Sequence, residues 1–232
     1  DGYILKTPDA GNTWEFQSSF LEHANLESVQ FTSPDTGWIV GRDNTLLKTT
    51  DAGKNWEYQL PKADNPDLFS IHFLDSQRGC FVGDDGTIYV TGNGGALWHF
   101  KWDKITRNRL TDVFVADTNT IYIVGSQGIF LKSVNSGASF NMYTLPAEYL
   151  MLTVFFLDAQ KGWTAGWDGT ILHTSDGGIS WEKQESGTTE NIEEIVFTDS
   201  LNGLAVGWNG TILRTEDGGI SWEKQLSGTT ER

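Results

Sequence analysis

Short apolar runs alternate with polar turn residues along the whole chain, and the alternation has a fixed period. The run that we call strand a carries an apolar pair at Val29/Phe31, Ile71/Phe73, Val113/Val115, Val154/Phe156 and Ile195/Phe197. The next run, strand b, ends in a glycine on the same spacing, at Gly41, Gly83, Gly125, Gly166 and Gly207. Both runs are apolar at nearly every position, which predicts strands buried on both faces. Two further β-prone runs, c and d, complete a four-stranded antiparallel meander.

A turn of the form T-x-D-x-G-x-x-W separates strands c and d in six copies. Its third position recurs about every 42 residues, at Asp9, Asp51, Asn93, Asn135, Asp176 and Asp217. The Asp or Asn side chain can accept backbone N–H groups of the turn, and the glycine can adopt positive φ. A fixed period of this size is typical of units that bury their apolar faces only against their neighbours. We therefore predict that the six turns are structural.

The repeat predicts an all-β fold, a β-propeller of four-stranded antiparallel blades in a single domain spanning residues 1–232. Five blades are complete, at about residues 26–60, 68–101, 110–146, 151–185 and 192–226. Residues 1–17 supply only strands c and d, an N-terminal outer half-blade. Three interpretations stay open: a fragment of a larger propeller, a ring that closes with one half-filled blade, or a blade completed by a second chain. An unfinished blade exposes an apolar face, and such faces usually mark an interface.

Two side-chain recurrences accompany the turns. An aromatic residue follows the Asp or Asn by five positions and is predicted to wedge between blades, at Trp14, Trp56, Trp98, Phe140, Trp181 and Trp222. Strand c carries a basic residue and strand d a glutamate in the pairs Lys6/Glu15, Lys48/Glu57, His173/Glu182 and Arg214/Glu223. We predict that each pair faces across the c–d hairpin as a solvated charge pair worth about 0–1 kcal/mol.

Composition narrows the class of ligand. A net charge of −15 disfavours nucleic acid and anionic membrane surfaces, because both are bound through clustered Lys and Arg. Each turn offers one carboxylate, too few for Ca²⁺, and the four histidines lack a metal-ligand spacing, so neither a metal nor another cofactor is expected. The apolar runs are far too short for membrane insertion. The single cysteine, Cys80, excludes an internal disulfide framework.

Function is expected where the blades differ. The two residues after the strand-b glycine change from blade to blade: Arg42-Asp43, Asp84-Asp85, Ser126-Gln127, Trp167-Asp168 and Trp208-Asn209. The d–a loops add Phe20, His23, Trp102, Arg107, Arg109 and Tyr149. Together they predict a mixed aromatic and polar mouth suited to a peptide or a sugar, with Arg42, Asp84, Trp102, Trp167 and Trp208 as the ligand-binding candidates. The alternative is that Trp167 and Trp208 pack against a neighbouring blade.

The string GW-x-x-G-x-x-G-T-I-L-x-T-x-D-G-G-x-x-W occurs at Gly162–Trp181 and, with Leu for the first Trp, at Gly203–Trp222. It resembles the BNR or Asp-box β-propellers, and among them most the photosystem II stability/assembly-factor-like group. The resemblance implies a scaffold that binds assembling membrane subunits through a basic patch, and a secreted or periplasmic location. Asp-box repeats also occur in sialidases, xyloglucanases and sortilin-type receptors, so the string is specific for fold rather than for function.

We predict a non-catalytic scaffold that binds a protein, peptide or glycan through the b–c and d–a loop face or the incomplete blade, where self-association is also possible. No catalytic residue is assigned. One alternative is a carbohydrate-active hydrolase using Asp43, Asp84, Asp85 and Asp168, which requires two facing carboxylates about 5–9.5 Å apart. The other alternative is a structural or engineered repeat scaffold without a ligand.

Overall fold

A computed structural model of the chain describes residues 3–17, 25–59, 66–101, 105–146 and 149–229. Within this part the secondary structure is β-strand joined by turns, with a single 3-10 turn after the second strand of four of the sheets. The strands are β1 Ile4–Lys6, β2 Glu15–Gln17, β3 Leu26–Phe31, β4 Gly37–Gly41, β5 Thr45–Thr49, β6 Glu57–Tyr58, β7 Leu68–Phe73, β8 Gly79–Gly83, β9 Ile88–Thr91, β10 His99–Phe100, β11 Leu110–Val115, β12 Ile121–Gly125, β13 Ile129–Ser133, β14 Asn141–Thr144, β15 Met151–Phe156, β16 Gly162–Gly166, β17 Ile171–Thr174, β18 Glu182–Gln184, β19 Ile192–Phe197, β20 Gly203–Gly207, β21 Thr211–Thr215 and β22 Glu223–Lys224.

Consecutive strands pair antiparallel into one two-stranded sheet and five four-stranded sheets. We call β1–β2 the half-blade, and β3–β6, β7–β10, β11–β14, β15–β18 and β19–β22 blades 1 to 5. These are the sheets that the period of the sequence predicts, and the predicted fold class, a β-propeller of four-stranded blades with an outer half-blade, is confirmed.

The chain divides into two compact units, residues 1–101 with the half-blade and blades 1 and 2, and residues 102–232 with blades 3 to 5. In the first unit, Trp38 and Val40 of blade 1 pack with Phe73 and Phe81 of blade 2. In the second unit, buried cores of the same kind join blade 3 to blade 4 and blade 4 to blade 5. A single domain over residues 1–232 stays a prediction.

The strand-b glycine lets the start of strand a come close to the end of strand b. A Cβ on Gly83 would lie 3.1 Å from the carbonyl carbon of Asp67 and nearer still to its oxygen. That oxygen accepts a hydrogen bond of 2.9 Å from the backbone N–H of Asp84. The same bond recurs in the other blades, from Arg42 to Asn25, Ser126 to Arg109, Trp167 to Leu150 and Trp208 to Asn191. The glycine therefore fixes where each b–c loop begins.

Most of the strands a and b are buried on both faces, as predicted, but some are not. Strands β4, β8, β12 and β16 are buried throughout. The prediction is wrong for β3, where Val29 and Phe31 are exposed, and for β20, where Leu204 and Val206 are exposed. Within the described chain the half-blade covers only part of β3, and no strand follows β22.

Candidate functional site

Each of the six T-x-D-x-G turns, which we call Asp-box turns, satisfies its side-chain hydrogen bonds within the turn itself. Thr49 Oγ1 donates to Asp51 Oδ1 at 2.9 Å and accepts the backbone N–H of Gly53 at 2.9 Å. Asp51 Oδ1 also accepts the N–H of Asn55 at 2.9 Å. Ala52 and Gly53 both have positive φ, at 62° and 85°. The same Thr or Ser network holds the turns at Asp9, Asn93, Asn135, Asp176 and Asp217. The carboxylates are therefore used inside the turns.

These hydrogen bonds lower the pKa of the turn aspartates. The pKa of Asp51 is lowered from 3.8 to about 2, mainly by its bond from the Asn55 side chain. Asp176 and Asp217 also have a pKa of about 2, mainly because of the Ser180 and Ser221 hydroxyls. Ionised carboxylates with so low a pKa are poor proton donors at neutral pH.

We expect acid to weaken the fold through these three turns. Because the folded-state pKa lies below the ordinary value, each carboxylate stabilises the fold above about pH 4, and the contribution is lost as the pH falls through 2. The triple variant Asp51→Asn, Asp176→Asn, Asp217→Asn keeps the Oδ1 acceptor that Asn93 already uses. Urea unfolding at pH 7, 4, 3 and 2 should therefore show a shallower loss of stability for the triple variant. Equal slopes for the two proteins contradict the prediction.

The aromatic residue of the turn packs against the preceding blade at Trp98 and Trp181. The Trp98 ring of blade 2 lies 5.5 Å from the Trp38 ring of blade 1 and 4.7 Å from the Phe81 ring of its own blade. Trp181 of blade 4 lies 5.2 Å from Phe130 of blade 3. Trp14 of the half-blade is 59% exposed, so the wedge prediction is wrong there. Among the described residues, no earlier blade precedes the half-blade to receive that ring.

The base and glutamate of each c–d hairpin lie opposite each other, but the basic side chains turn to other partners. The registers pair Lys6 with Glu15, Lys48 with Glu57, His173 with Glu182 and Arg214 with Glu223. Lys6 Nζ donates to the carbonyl oxygen of Ala52 at 3.0 Å, and Lys48 Nζ to that of Gly94 at 3.3 Å. Both acceptors belong to the Asp-box turn of the next blade. The predicted charge pairs are therefore wrong for the lysines, because a turn carbonyl in the next blade is the nearer acceptor.

The other two bases also depart from simple pairing. Arg214 forms an ion pair with Glu216 of its own turn. The His173 ring lies 4.9 Å from the Trp163 ring, and burial lowers the pKa of His173 more than Glu182 raises it. At neutral pH this histidine is therefore neutral and packs as an aromatic ring.

In the first unit, the loop candidates form a charged cluster. Arg42 Nε lies 2.9 Å from Glu27 Oε1 and 3.9 Å from Asp67 Oδ2. The hydrogen bond that Arg42 donates to Glu27, with a smaller contribution from the charge of Asp84, raises the pKa of Arg42. The candidate Asp84 is half-buried and begins the 3-10 turn after β8. The structure thus brings Arg42 and Asp84 into one cluster, in which acidic groups outnumber the single arginine.

In the second unit, Trp167 and Trp208 each begin the 3-10 turn that follows strand b. Trp167 is 46% exposed, so its side chain does not pack between blades. Trp208 is half-buried and donates its Nε1–H to the carboxylate of Glu193. The Trp167 ring is therefore exposed, whereas Trp208 is partly covered and holds Glu193 as a partner. The fifth candidate, Trp102, lies outside the described residues, as do Phe20 and His23.

The sequence interpretation missed a second aromatic repeat, at the second position of strand b. The Trp38 ring stacks on Phe73 of the next blade at 5.4 Å, with Lys48 Nζ 4.7 Å from the Trp38 ring centroid. In the second unit, Tyr122 lies in the same way between Lys132 and Phe156, at 5.5 and 3.6 Å. Trp163 lies between His173 and Phe197. A base on strand c, an aromatic residue on strand b and the next blade's strand-a phenylalanine thus form a three-layer stack. The spacing of these residues is the signal that could have revealed it.

A cleft of about 580 Å³ lies between the half-blade and blade 1, which we call the half-blade cleft. It is mainly apolar, and its walls are the β1 strand on one side and β3 with Trp56 on the other. Several of its side chains are strongly exposed: Tyr3 68%, Leu5 55%, Val29 60% and Phe31 44%. Exposed apolar side chains grouped in a concave surface are typical of a binding site.

The described part of the chain contains the single cysteine, Cys80, and no helix longer than a 3-10 turn. No group of three His, Cys, Asp or Glu side chains there is arranged to hold a metal ion. No helix described in the structure is long and apolar enough to cross a membrane. The Cys80 thiol is buried, and burial raises its pKa, so it is unreactive.

Comparison with known proteins agrees with this architecture. Residues 1–105 match the family model described as photosynthesis system II assembly factor YCF48. The solved structure of YCF48 from Cyanidioschyzon merolae is 22% identical with a TM-score of 0.78, and the match covers 99% of this chain and 80% of that one. A structure described as YCF48 bound to D1 peptide is 16% identical with a TM-score of 0.51, over 88% and 82%. The chain is a BNR-repeat propeller that resembles this assembly-factor family. A comparison with curated proteins finds no match.

A glycosidase has similar blades at lower sequence identity. The GH74 xyloglucanase from Xanthomonas campestris is 14% identical with a TM-score of 0.76, and the match covers 94% of this chain but 41% of that enzyme. At this identity the likeness shows the fold alone.

Proposed function

We propose that this chain is a non-catalytic binding protein that takes up an extended segment of a protein partner in the half-blade cleft. The observation that carries the proposal is the cleft itself, with Val29 and Phe31 exposed where the corresponding strand-a residues of blade 2, Ile71 and Phe73, are buried. Burying a side chain of this size is worth about 1.5–3 kcal/mol. A segment of a partner that covers these side chains therefore gains binding energy of this order for each of them.

The comparisons support a protein partner over a glycan or self-association. The family model describes an assembly factor, and one structural neighbour is described as bound to a peptide. Polar side chains outside the cleft are engaged by neighbouring groups of the fold. Arg42 is held by Glu27, and the turn aspartates have a pKa lowered by their own turns. The loop tryptophans Trp167 and Trp208 are proposed as a separate contact surface on the second unit.

Peptide display with random peptides on the immobilised full chain tests this function. We expect the display to select peptides that bind the wild-type chain. Their affinity for the Val29→Asp variant should be at least about ten-fold lower, because the new carboxylate would be desolvated in the cleft. Val206→Asp, at a comparably exposed position of blade 5, is the matched control and should bind normally. Failure to select any binding peptide contradicts the proposal. So does release of oligosaccharides from xyloglucan, which would identify a hydrolase.

A further inference from the structure

A bulged residue of strand a lies against the first residue of the b–c loop in blades 1 and 5. In blade 5 the register between β19 and β20 shifts at Glu193, and in blade 1 the register between β3 and β4 shifts at Glu27. A β-bulge bends its strand and re-aims the side chain of the extra residue. Both glutamates therefore leave the ladder, and they meet Trp208 and Arg42 respectively.

The two blades differ in the group that the bulge glutamate holds. In blade 1 this group is a guanidinium, since Arg42 Nε donates to Glu27 Oε1 at 2.9 Å. In blade 5 an indole takes that place, and Trp208 donates its Nε1–H to Glu193. A carboxylate has about four acceptor positions, so one N–H uses only part of its capacity. Blade 1 thus shows the cation that fits the bulge glutamate, and blade 5 has the same carboxylate beside an aromatic ring.

Trp167 is brought to this carboxylate by Asn191, the residue before β19. The carbonyl oxygen of Asn191 accepts the backbone N–H of Trp208 at 2.9 Å. Its side-chain Oδ1 accepts the backbone N–H of Asp168, the residue after Trp167, at 3.2 Å. One residue therefore holds both 3-10 turns, and the turn of Trp167 packs against β19. Trp167 is 46% exposed, so a ligand at this position can reach its ring.

The charge around the two tryptophans favours a cation. Asp168 lies in the turn of Trp167, and Glu190 accepts the Nδ2–H of Asn209 at 2.7 Å. The whole chain has a net charge of −15, which attracts cationic segments and raises their rate of association. A guanidinium can stack flat on an indole ring while its N–H groups bond to a carboxylate. Two tryptophans beside a glutamate are therefore suited to an arginine side chain.

We infer that Trp167, Trp208 and Glu193 bind an arginine side chain of the protein partner, and we call these residues the tryptophan site. The guanidinium stacks on an indole ring and donates to Glu193, as Arg42 donates to Glu27 inside blade 1. The inference rests on the proposed function that the chain binds a protein, and it gives the chemistry of the separate contact surface on the second unit. The half-blade cleft takes no part in it.

Titration with a blocked arginine tests the inference directly. The probe is N-acetyl-arginine methylamide, and the control is N-acetyl-citrulline methylamide, which has a similar shape and no charge. The measurement is the NMR shift of the indole N–H signals of the full chain, with Trp167→Phe and Trp208→Phe used to assign the two signals. We expect saturable shifts of both signals with the arginine. Binding of the citrulline should be at least about five-fold weaker, because the charge supplies most of the attraction.

Variants of the protein locate the binding. Trp167→Ala should weaken the blocked arginine at least about five-fold, and the residue is exposed enough for the variant to fold. Glu193→Gln keeps an oxygen acceptor for the Trp208 indole but removes the charge, and it should weaken binding about three- to ten-fold. Trp14→Ala is the matched control, since Trp14 is 59% exposed and lies in the half-blade, and it should bind normally.

Several results would overturn the inference. They are the absence of saturable binding, equal binding of the two probes, and arginine binding that is unchanged in Trp167→Ala or in Glu193→Gln. Far-ultraviolet circular dichroism confirms that each variant is folded.

The outcomes also separate this inference from the proposed function. Display-selected peptides that need Val29, together with no binding of the blocked arginine, overturn the inference and leave the function standing. Binding of the blocked arginine at the tryptophan site, together with failure to select any peptide, contradicts the half-blade cleft and supports the tryptophan site.

Discussion

Trp163→Ala is expected to lower the free energy of unfolding by about 3–5 kcal/mol, the range for removing a large buried aromatic side chain. Trp163 is 1% exposed, and its ring stacks on Phe197 of the next blade at 3.6 Å with an interplanar angle of 13°. Its other face meets the His173 ring at 4.9 Å. The substitution removes the middle layer of the stack and leaves a cavity between blades 4 and 5. Whole domains are stable by only about 5–15 kcal/mol, so this is a large loss.

Urea unfolding followed by far-ultraviolet circular dichroism measures the effect. Trp14→Ala is the matched control, since Trp14 is 59% exposed and its removal should change stability by less than about 0.5 kcal/mol. Trp163→Phe should lower the free energy of unfolding less than Trp163→Ala does, because a ring stays in the stack. The phenylalanine also removes the buried Nε1 of the tryptophan, which has no hydrogen-bond partner. Similar losses in Trp163→Ala and Trp14→Ala would show that the stack does not hold the blades together.

The second large effect is expected for Gly83→Ala, which should lower the free energy of unfolding by about 2–4 kcal/mol. The backbone at Gly83 is extended, with φ of −166°, so the cost does not come from a strained conformation of alanine. It comes from the new Cβ, which would lie 3.1 Å from the carbonyl carbon of Asp67 and closer to its oxygen. Strands β7 and β8 must separate, which adds overpacking strain and weakens the bond from Asp84 N–H to Asp67.

Gly92→Ala is the control in the same blade, because a Cβ there meets no atom within 4 Å. Thermal unfolding of the two variants should show a clear drop in Tm for Gly83→Ala and little change for Gly92→Ala. The peptide selections on Gly83→Ala are also informative, since displacement of Asp84 should alter the charged cluster around Arg42. A Tm for Gly83→Ala equal to that of the wild type contradicts the steric explanation.

Much of the fold could be predicted because its signals are local. The turn network joins Thr49, Asp51 and Gly53, which lie within four residues of one another, so the pattern T-x-D-x-G specifies the geometry by itself. The hairpin registers follow from the same turns, and Lys6 lies opposite Glu15 as the spacing indicates. Strand boundaries follow from the alternation of apolar runs with turn residues. The candidate site could be predicted only in outline. The sequence indicated the loop positions whose residues differ from blade to blade, and it indicated the incomplete blade.

The tertiary structure decided the contacts between blades. Lys48 Nζ selects the carbonyl of Gly94, 46 residues away, instead of the glutamate across its hairpin. The exposure of Trp14 and Phe31 likewise depends on which neighbouring strands cover them, which no local pattern specifies. The pairing of Trp38 with Phe73, and the room left against Phe31, arise only when one blade stacks on the next. The sequence by itself therefore determined the blades, through hydrogen bonds within a few residues. Only the stacking of blades, through contacts about one repeat apart, decided which apolar side chains are buried and which stay exposed.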